Sequence, residues 1–191
     1  LAKADLLTNM VGEFGNLQGA MGRYYALADN EPLEVATALE EQYFPKQSGT
    51  ETAKSQTGQI LAIAEKIDTL VSIFKVDLLP TGDKDPYALR RAAIGVLRTI
   101  IENNLDIDIN ELINFAENQI HPKPTHVGKG MKIYAKLSSV GDPTTSDLVI
   151  EFVFDRLKGY CLDRGFAPDE FDAVISVNPS QPLDFMKRLQ A

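Results

Sequence analysis

With 191 residues, 44% of them hydrophobic, the chain is long enough to bury a core as one domain or as two small ones. Lys and Arg number 19 against 27 Asp and Glu, and the whole net charge of −8 lies in residues 1–120, the remainder being neutral. This excludes a global field that draws in nucleic acid, so any such contact has to come from a local basic patch.

Cys161 is the only cysteine, which excludes an internal disulfide and a thiolate zinc cluster and suits the cytoplasm. Neither a signal-peptide pattern nor an apolar run of about 20 residues is visible, so a soluble, cytoplasmic chain without membrane contact is expected. The sequence starts without Met, inside a stretch that already reads as helix. It is expected to be a piece of a longer polypeptide.

Residues 1–28 show helical periodicity through Leu6, Leu7, Met10, Val11, Phe14, Leu17 and Met21. Gly12, Gly15, Gly19 and Gly22 are spaced three and four apart and share a face. Glycines at that density weaken a helix in water. Close packing by another helix, or a bend around Gly15 to Gly19, compensates; a backbone surface for a ligand is the alternative. Asp29 to Glu34 reads as a turn, followed by a helix to about Tyr43 that Pro45 stops. Residues 46–56 are polar and read as a flexible loop.

The next helix is predicted from about Thr57 to Phe74, with Ile60, Ile63, Ala64, Ile67, Leu70, Val71 and Phe74 as its buried stripe. Residues 80–86 lack periodicity. Asp85 before Pro86 is a helix start, since the carboxylate accepts orphan N–H groups and proline needs no donor at the first position. That helix runs to about Asn103 and Asn104. Asp108 caps a shorter one from about Ile109 to Gln119.

Residues 121–146 break the periodicity with prolines, glycines and the two histidines, and form a linker or irregular insert in which MKIYAKLSSV reads as a short helix. From Asp147 a helix runs to a C-cap at Gly165. Pro168 and Asp169 open another through Val177, and PLDFMKRLQ begins a last one. The prediction is an all-α chain: a helical domain over 1–120, the insert over 121–146, and the start of a second helical body over 147–191.

Metal chemistry finds little support in the residue types. His121 and His126 lie five apart in the insert, without cysteine partners or a second pair at helical spacing. Asp5, Glu13, Glu65 and Asp68 offer carboxylates, but Lys3 and Lys66 lie close in sequence, and ion pairing accounts for them better than acid–base or magnesium chemistry. Cys161 reads as a buried, inert thiol. The glycines of GEFGNLQGAMG have no preceding strand and no Lys-Ser/Thr, so no phosphate loop is present.

What remains is the basic set Lys84, Arg90, Arg91 and Arg98. Arginines near a helix start oppose the macrodipole. They meet either an internal carboxylate or an external anion such as phosphate, and the residues alone leave both open.

Three ordered motifs carry a resemblance: KADLLTNMVGEFGNLQGAMGRYYA (3–26), EKIDTL (65–70) and PTGDKDPYALRRAAIGVLR (80–98). With FVFDRLKGYCLDRGFAPDEFDAV (152–174) and PLDFMKRL (182–189), the chain resembles the central part of the beta subunit of bacterial, tetrameric glycyl-tRNA synthetase. The resemblance implies an enzyme that joins glycine to tRNA(Gly) using ATP with magnesium, and an alpha subunit that carries the class II catalytic core. For this region it implies a non-catalytic role in recognising the tRNA acceptor arm and in assembly, with no cofactor and no catalytic residue of its own. Lys84, Arg90, Arg91 and Arg98 become the candidates for tRNA contact.

The resemblance also implies an HD-like scaffold, in a degenerate form. Lys3-Ala4-Asp5 has no histidine beside the aspartate. Gln42 stands where the beta subunits usually carry a histidine, and Glu65 where the HD pattern has an aspartate. No bound metal is expected. Two other readings stand beside this one: a purely structural scaffold of the synthetase, in which the arginines pair with carboxylates, and a metal-dependent HD phosphohydrolase.

Overall fold

The computed structural model describes residues 2–80, 85–120 and 143–191, and the regular structure among these is helical throughout, with no strand. The expected all-α class is what the chain adopts. Residues 81–84 and 121–142 lie outside the described residues, so Lys84, His121, His126 and the helix expected over MKIYAKLSSV do too. The chain divides into two compact units, Leu1–Glu65 and Lys66–Ala191.

In the first unit, a short 3-10 turn (Ala4–Leu7), α1 (Asn9–Glu13), a second 3-10 turn (Gly15–Leu17) and α2 (Ala20–Ala28) replace what periodicity alone reads as one stretch. Gly19 is the reason for the last break. It sits at φ +84, and a Cβ there would meet the Tyr43 ring at 2.7 Å, so only glycine fits. Gly22 lies against the Asp5 side chain, where a Cβ would be at 3.4 Å. Gly12 and Gly15 have open space around them. The glycine face is therefore a bend plus close packing at Gly19 and Gly22 alone.

A turn with Asn30 at φ 62 leads to α3 (Leu33–Glu41), which pairs with α2 as a helical hairpin. The polar loop after it ends in Thr52 and Ala53, both fully buried. Glu41 holds this end in place. One carboxylate oxygen accepts the Lys54 N–H at 3.0 Å and the other the Ser55 N–H at 3.0 Å, and the Ser55 hydroxyl donates as well. These bonds fix the entry to α4 (Gln56–Lys75). The buried face of α4 is not quite the predicted stripe: Ala62 and Lys66 are buried, whereas Ile60 and Ala64 are exposed.

The second unit is built on the distal part of α4 together with α5 (Leu89–Glu102), α6 (Ile109–Gln119), α7 (Thr145–Leu162), α8 (Pro168–Ile175) and α9 (Pro182–Leu189). Helix α7 packs on α5 and α6, and α9 packs on α5 and α8. Helices on both sides of residues 121–146 thus share one core, and the compact units do not follow the expected boundary at 120.

That core holds Phe74 edge-on to Phe152 at 5.2 Å and Phe171 tilted on Phe185 at 4.9 Å. Leu97, Ile100, Ile113 and Leu157 are all fully buried. Truncating any one of these aliphatic chains to alanine costs about 2–5 kcal/mol.

Helix ends follow their capping residues. Asp108 accepts the N–H groups of Asn110 and Glu111 at 2.9 and 3.0 Å, giving α6 the predicted bounds. Thr144 and Asp147 form a reciprocal capping box at the start of α7, and Gly165 leaves α7 at φ +90. Helix α5 begins later than its predicted start at Pro86. Asp85 does accept two orphan amides, but from Leu89 and Arg90, at 2.8 and 2.9 Å, across a turn in which Ala88 takes φ 55.

Candidate nucleic-acid interface

The Asp85 carboxylate sits at the positive end of α5, where it is favourable, and orders the turn carrying the arginines. Arg90 is half-buried and has a partner within the structure. Arg91 is exposed, and among the described residues it has no ion pair.

Arg98, seven residues on, has a different setting. Its side chain is 13% exposed and grips Glu102 with two nitrogens, Nε to Oε1 at 2.7 Å and Nη2 to Oε2 at 3.2 Å. The same Glu102 lies 3.6 Å from Arg164, whose guanidinium stacks over the Tyr160 ring at 3.6 Å. Sequence spacing places Arg91 and Arg98 on one face, but packing against α7 separates a solvent-facing cation from an internally paired one. Composition and periodicity single out neither Glu102 nor Arg164. The i,i+4 spacing of Arg98 and Glu102 is the signal that could have found the pair.

The three residues that the resemblance marks as degenerate HD positions, Asp5, Gln42 and Glu65, lie in the first unit. Asp5 is 4% exposed; its Oδ2 accepts the Gly19 N–H at 2.7 Å and its Oδ1 the Tyr43 hydroxyl at 3.0 Å. Gln42, fully buried, donates its amide N–H groups to the carbonyls of Ala2 and Leu39 at 2.5 and 2.9 Å. Glu65 is paired with the Lys3 ammonium. Burial pushes the Tyr43 phenol up to about 12, and the hydrogen bond to Asp5 and the Asp5 charge push the same way against an opposing bond from Gln18.

These residues do not fit a metal ion. A metal needs several acceptor ligands converging on one point. Here both oxygens of the one buried carboxylate hold protein donors, the second carboxylate holds an ammonium, and an amide stands at the third position. Among the described residues no group of three His, Cys, Asp or Glu is placed to hold a cation. Cys161 offers no nucleophile either: it is fully buried, and desolvation raises its thiol to about 11.

Residues 1–176 match the family model described as glycyl-tRNA synthetase beta subunit. The chain belongs to the glycyl-tRNA synthetase beta subunit family. Among curated relatives, the glycine–tRNA ligase beta subunits of Ectopseudomonas mendocina (strain ymp) and Pseudomonas fluorescens (strain Pf0-1) are each 47% identical to it over all 191 residues. That of Pseudomonas putida (strain W619) is 46% identical over the same span. The chain spans about a quarter (26%) of the length of these glycine–tRNA ligase beta subunits. Among the described residues, no helix is long and apolar enough to cross a membrane.

Proposed function

We propose that this region is a non-catalytic part of a cytoplasmic glycine–tRNA ligase, supporting recognition of the tRNA(Gly) acceptor arm and assembly with the alpha subunit. ATP, magnesium and glycine are then handled by the alpha subunit, and this region binds no cofactor. The scaffold is read as an HD-like fold in which Asp5, Gln42 and Glu65 have become structural.

The observation that carries the tRNA reading is Arg91. It is an exposed guanidinium on the first turn of α5, opposed to the helix dipole, with no ion pair among the described residues. A phosphate is the partner such a group lacks. In the complete synthetase, Arg91→Ala is expected to weaken tRNA(Gly) binding and to lower the salt slope of binding by about 1, while glycine-dependent adenylate formation is unchanged. Unchanged affinity and slope would remove Arg91 from the interface and leave family membership untouched.

A scaffold reading is favoured at one position. Arg98 is spent on Glu102, and through it on Arg164, inside the second unit. We assign Arg98 to holding α5 and α7 together rather than to RNA.

A further inference from the structure

The first unit carries an open groove of about 730 Å³ between α2, α3 and the Ala4–Leu7 turn. Its walls are mainly small or apolar: Ala4, Gly22, Ala26, Tyr25, Val35 and Leu39. Tyr25 and Val35 stand at the opening, 37% and 40% exposed. Small-molecule sites of this size contain a few convergent polar groups that fix orientation. Here the polar groups at the base are already engaged, Asp5 by Gly19 and Tyr43, and Thr8 by the Asp5 carbonyl and the Val11 amide. Walls of alanine and glycine instead let a helix come close.

Charge adds a second, separate indication. Asp29 and Glu31 line the same groove at the C-terminal end of α2. Carboxylates there oppose the helix dipole, the last turn of α2 holds no basic residue, and neither acid has an ion pair among the described residues. An apolar trough with an uncompensated acidic lip is complementary to an amphipathic helix that brings Lys or Arg to the lip.

We propose that the groove seats such a basic amphipathic helix, supplied by the part of the same beta subunit outside these 191 residues. The curated relatives are about four times as long as this chain, so the subunit has ample further sequence to supply it. The inference is independent of any tRNA contact by Arg91.

The test uses the full-length subunit with Val35→Cys at the groove and Leu33→Cys as control. Leu33 is on the same helix, 63% exposed and outside the groove. Maleimide labelling is read at each position by peptide mass spectrometry. In the beta subunit alone, Val35→Cys is expected to react at least about tenfold more slowly than Leu33→Cys. Adding Asp29→Lys and Glu31→Lys is expected to bring its rate toward the control. Equal rates at the two cysteines in the beta subunit alone overturn the proposal. Protection of Val35→Cys that appears only when the alpha subunit is added overturns it too, in favour of a groove for the partner. Protection that survives the double charge reversal rejects the basic face.

Discussion

Tyr43 donates its phenolic hydrogen to Oδ1 of Asp5 at 3.0 Å, while Oδ2 of the same carboxylate takes the Gly19 N–H. One side chain thus joins the first turn of the chain, the bend before α2 and the second residue beyond α3. Tyr43→Phe should cost about 1 kcal/mol at neutral pH, as expected for one hydrogen bond. The pH dependence has a definite sign. Burial favours the neutral phenol, so its pKa in the fold, about 12, exceeds the ordinary 10.0. The stabilisation is fully present below pH 10 and is lost as pH rises toward 12. Urea unfolding across that window should show a steeper alkaline loss for the wild type than for Tyr43→Phe; equal losses contradict the assignment.

Glu41 and Gly58 make a second coupled pair. A Cβ on residue 58 would lie 2.1 Å from a carboxylate oxygen of Glu41. Alanine there gains helix propensity, about 1 kcal/mol, but displaces a carboxylate that accepts the Lys54 and Ser55 amides. The clash should win, with a net loss of about 1–3 kcal/mol. In a Glu41→Ala background the carboxylate contact is gone, but the Cβ of residue 41 and the Ser55 hydroxyl, each 2.8 Å from the added Cβ, remain, so the loss should shrink without changing sign. A double-mutant cycle from thermal melts reads that reduction directly.

Glu117 supplies an acid-side counterpart. Burial opposes its ionisation, but the Ser146 hydroxyl and amide, Thr145 and the Lys75 charge together hold its pKa below the ordinary 4.5. Its contribution is therefore present above that value and lost as pH falls through the lower, folded one. Ser146→Ala should destabilise the chain at neutral pH, and the difference from wild type should shrink on acidification. Parallel acid-unfolding curves would count against this role.

Arg91 and Arg98 should respond to alanine in opposite ways. Arg98→Ala is expected to cost about 1 kcal/mol of stability, because a largely buried, two-pronged contact to Glu102 is lost, and to leave the salt slope of tRNA binding unchanged. Arg91→Ala should leave the melting temperature in place and act only on binding. Paired unfolding and binding measurements distinguish the two, and a shared pattern would merge their roles.

What the sequence made legible was local. Asp108 acts on residues within a turn of itself, and the start it sets for α6 matches the pattern; α7 instead begins at Thr145 and takes Asp163 as its C-cap, two residues from the expected bounds at each end. Asp85 before Pro86 reads as a cap, but the turn through Ala88 moves its effect three residues along. Contacts across long separations left no trace in the spacing: Glu41 with Ser55, Asp5 with Tyr43, and Asp108 with Ser180. Periodicity assigns Ile60 and Ala64 to the buried stripe of α4, yet both are exposed, because the buried face is set by what packs on the helix and not by its apolar residues alone. At the candidate interface, the residue types were visible. Which arginine faces inward depended on Glu102 and Arg164, and on a helix from the far side of the insert.

The Lys75 ammonium holds the carbonyls of Glu117 and Ile120 at 3.1 and 2.6 Å, and the Glu117 carboxylate takes the Ser146 amide at 3.0 Å. The chain therefore leaves α6 and re-enters at α7 through one knot of polar contacts. Glu117 therefore serves two neighbours at once, its carbonyl facing α4 and its carboxylate facing the start of α7, so the last turn of α6 is the joint from which both neighbouring helices are held.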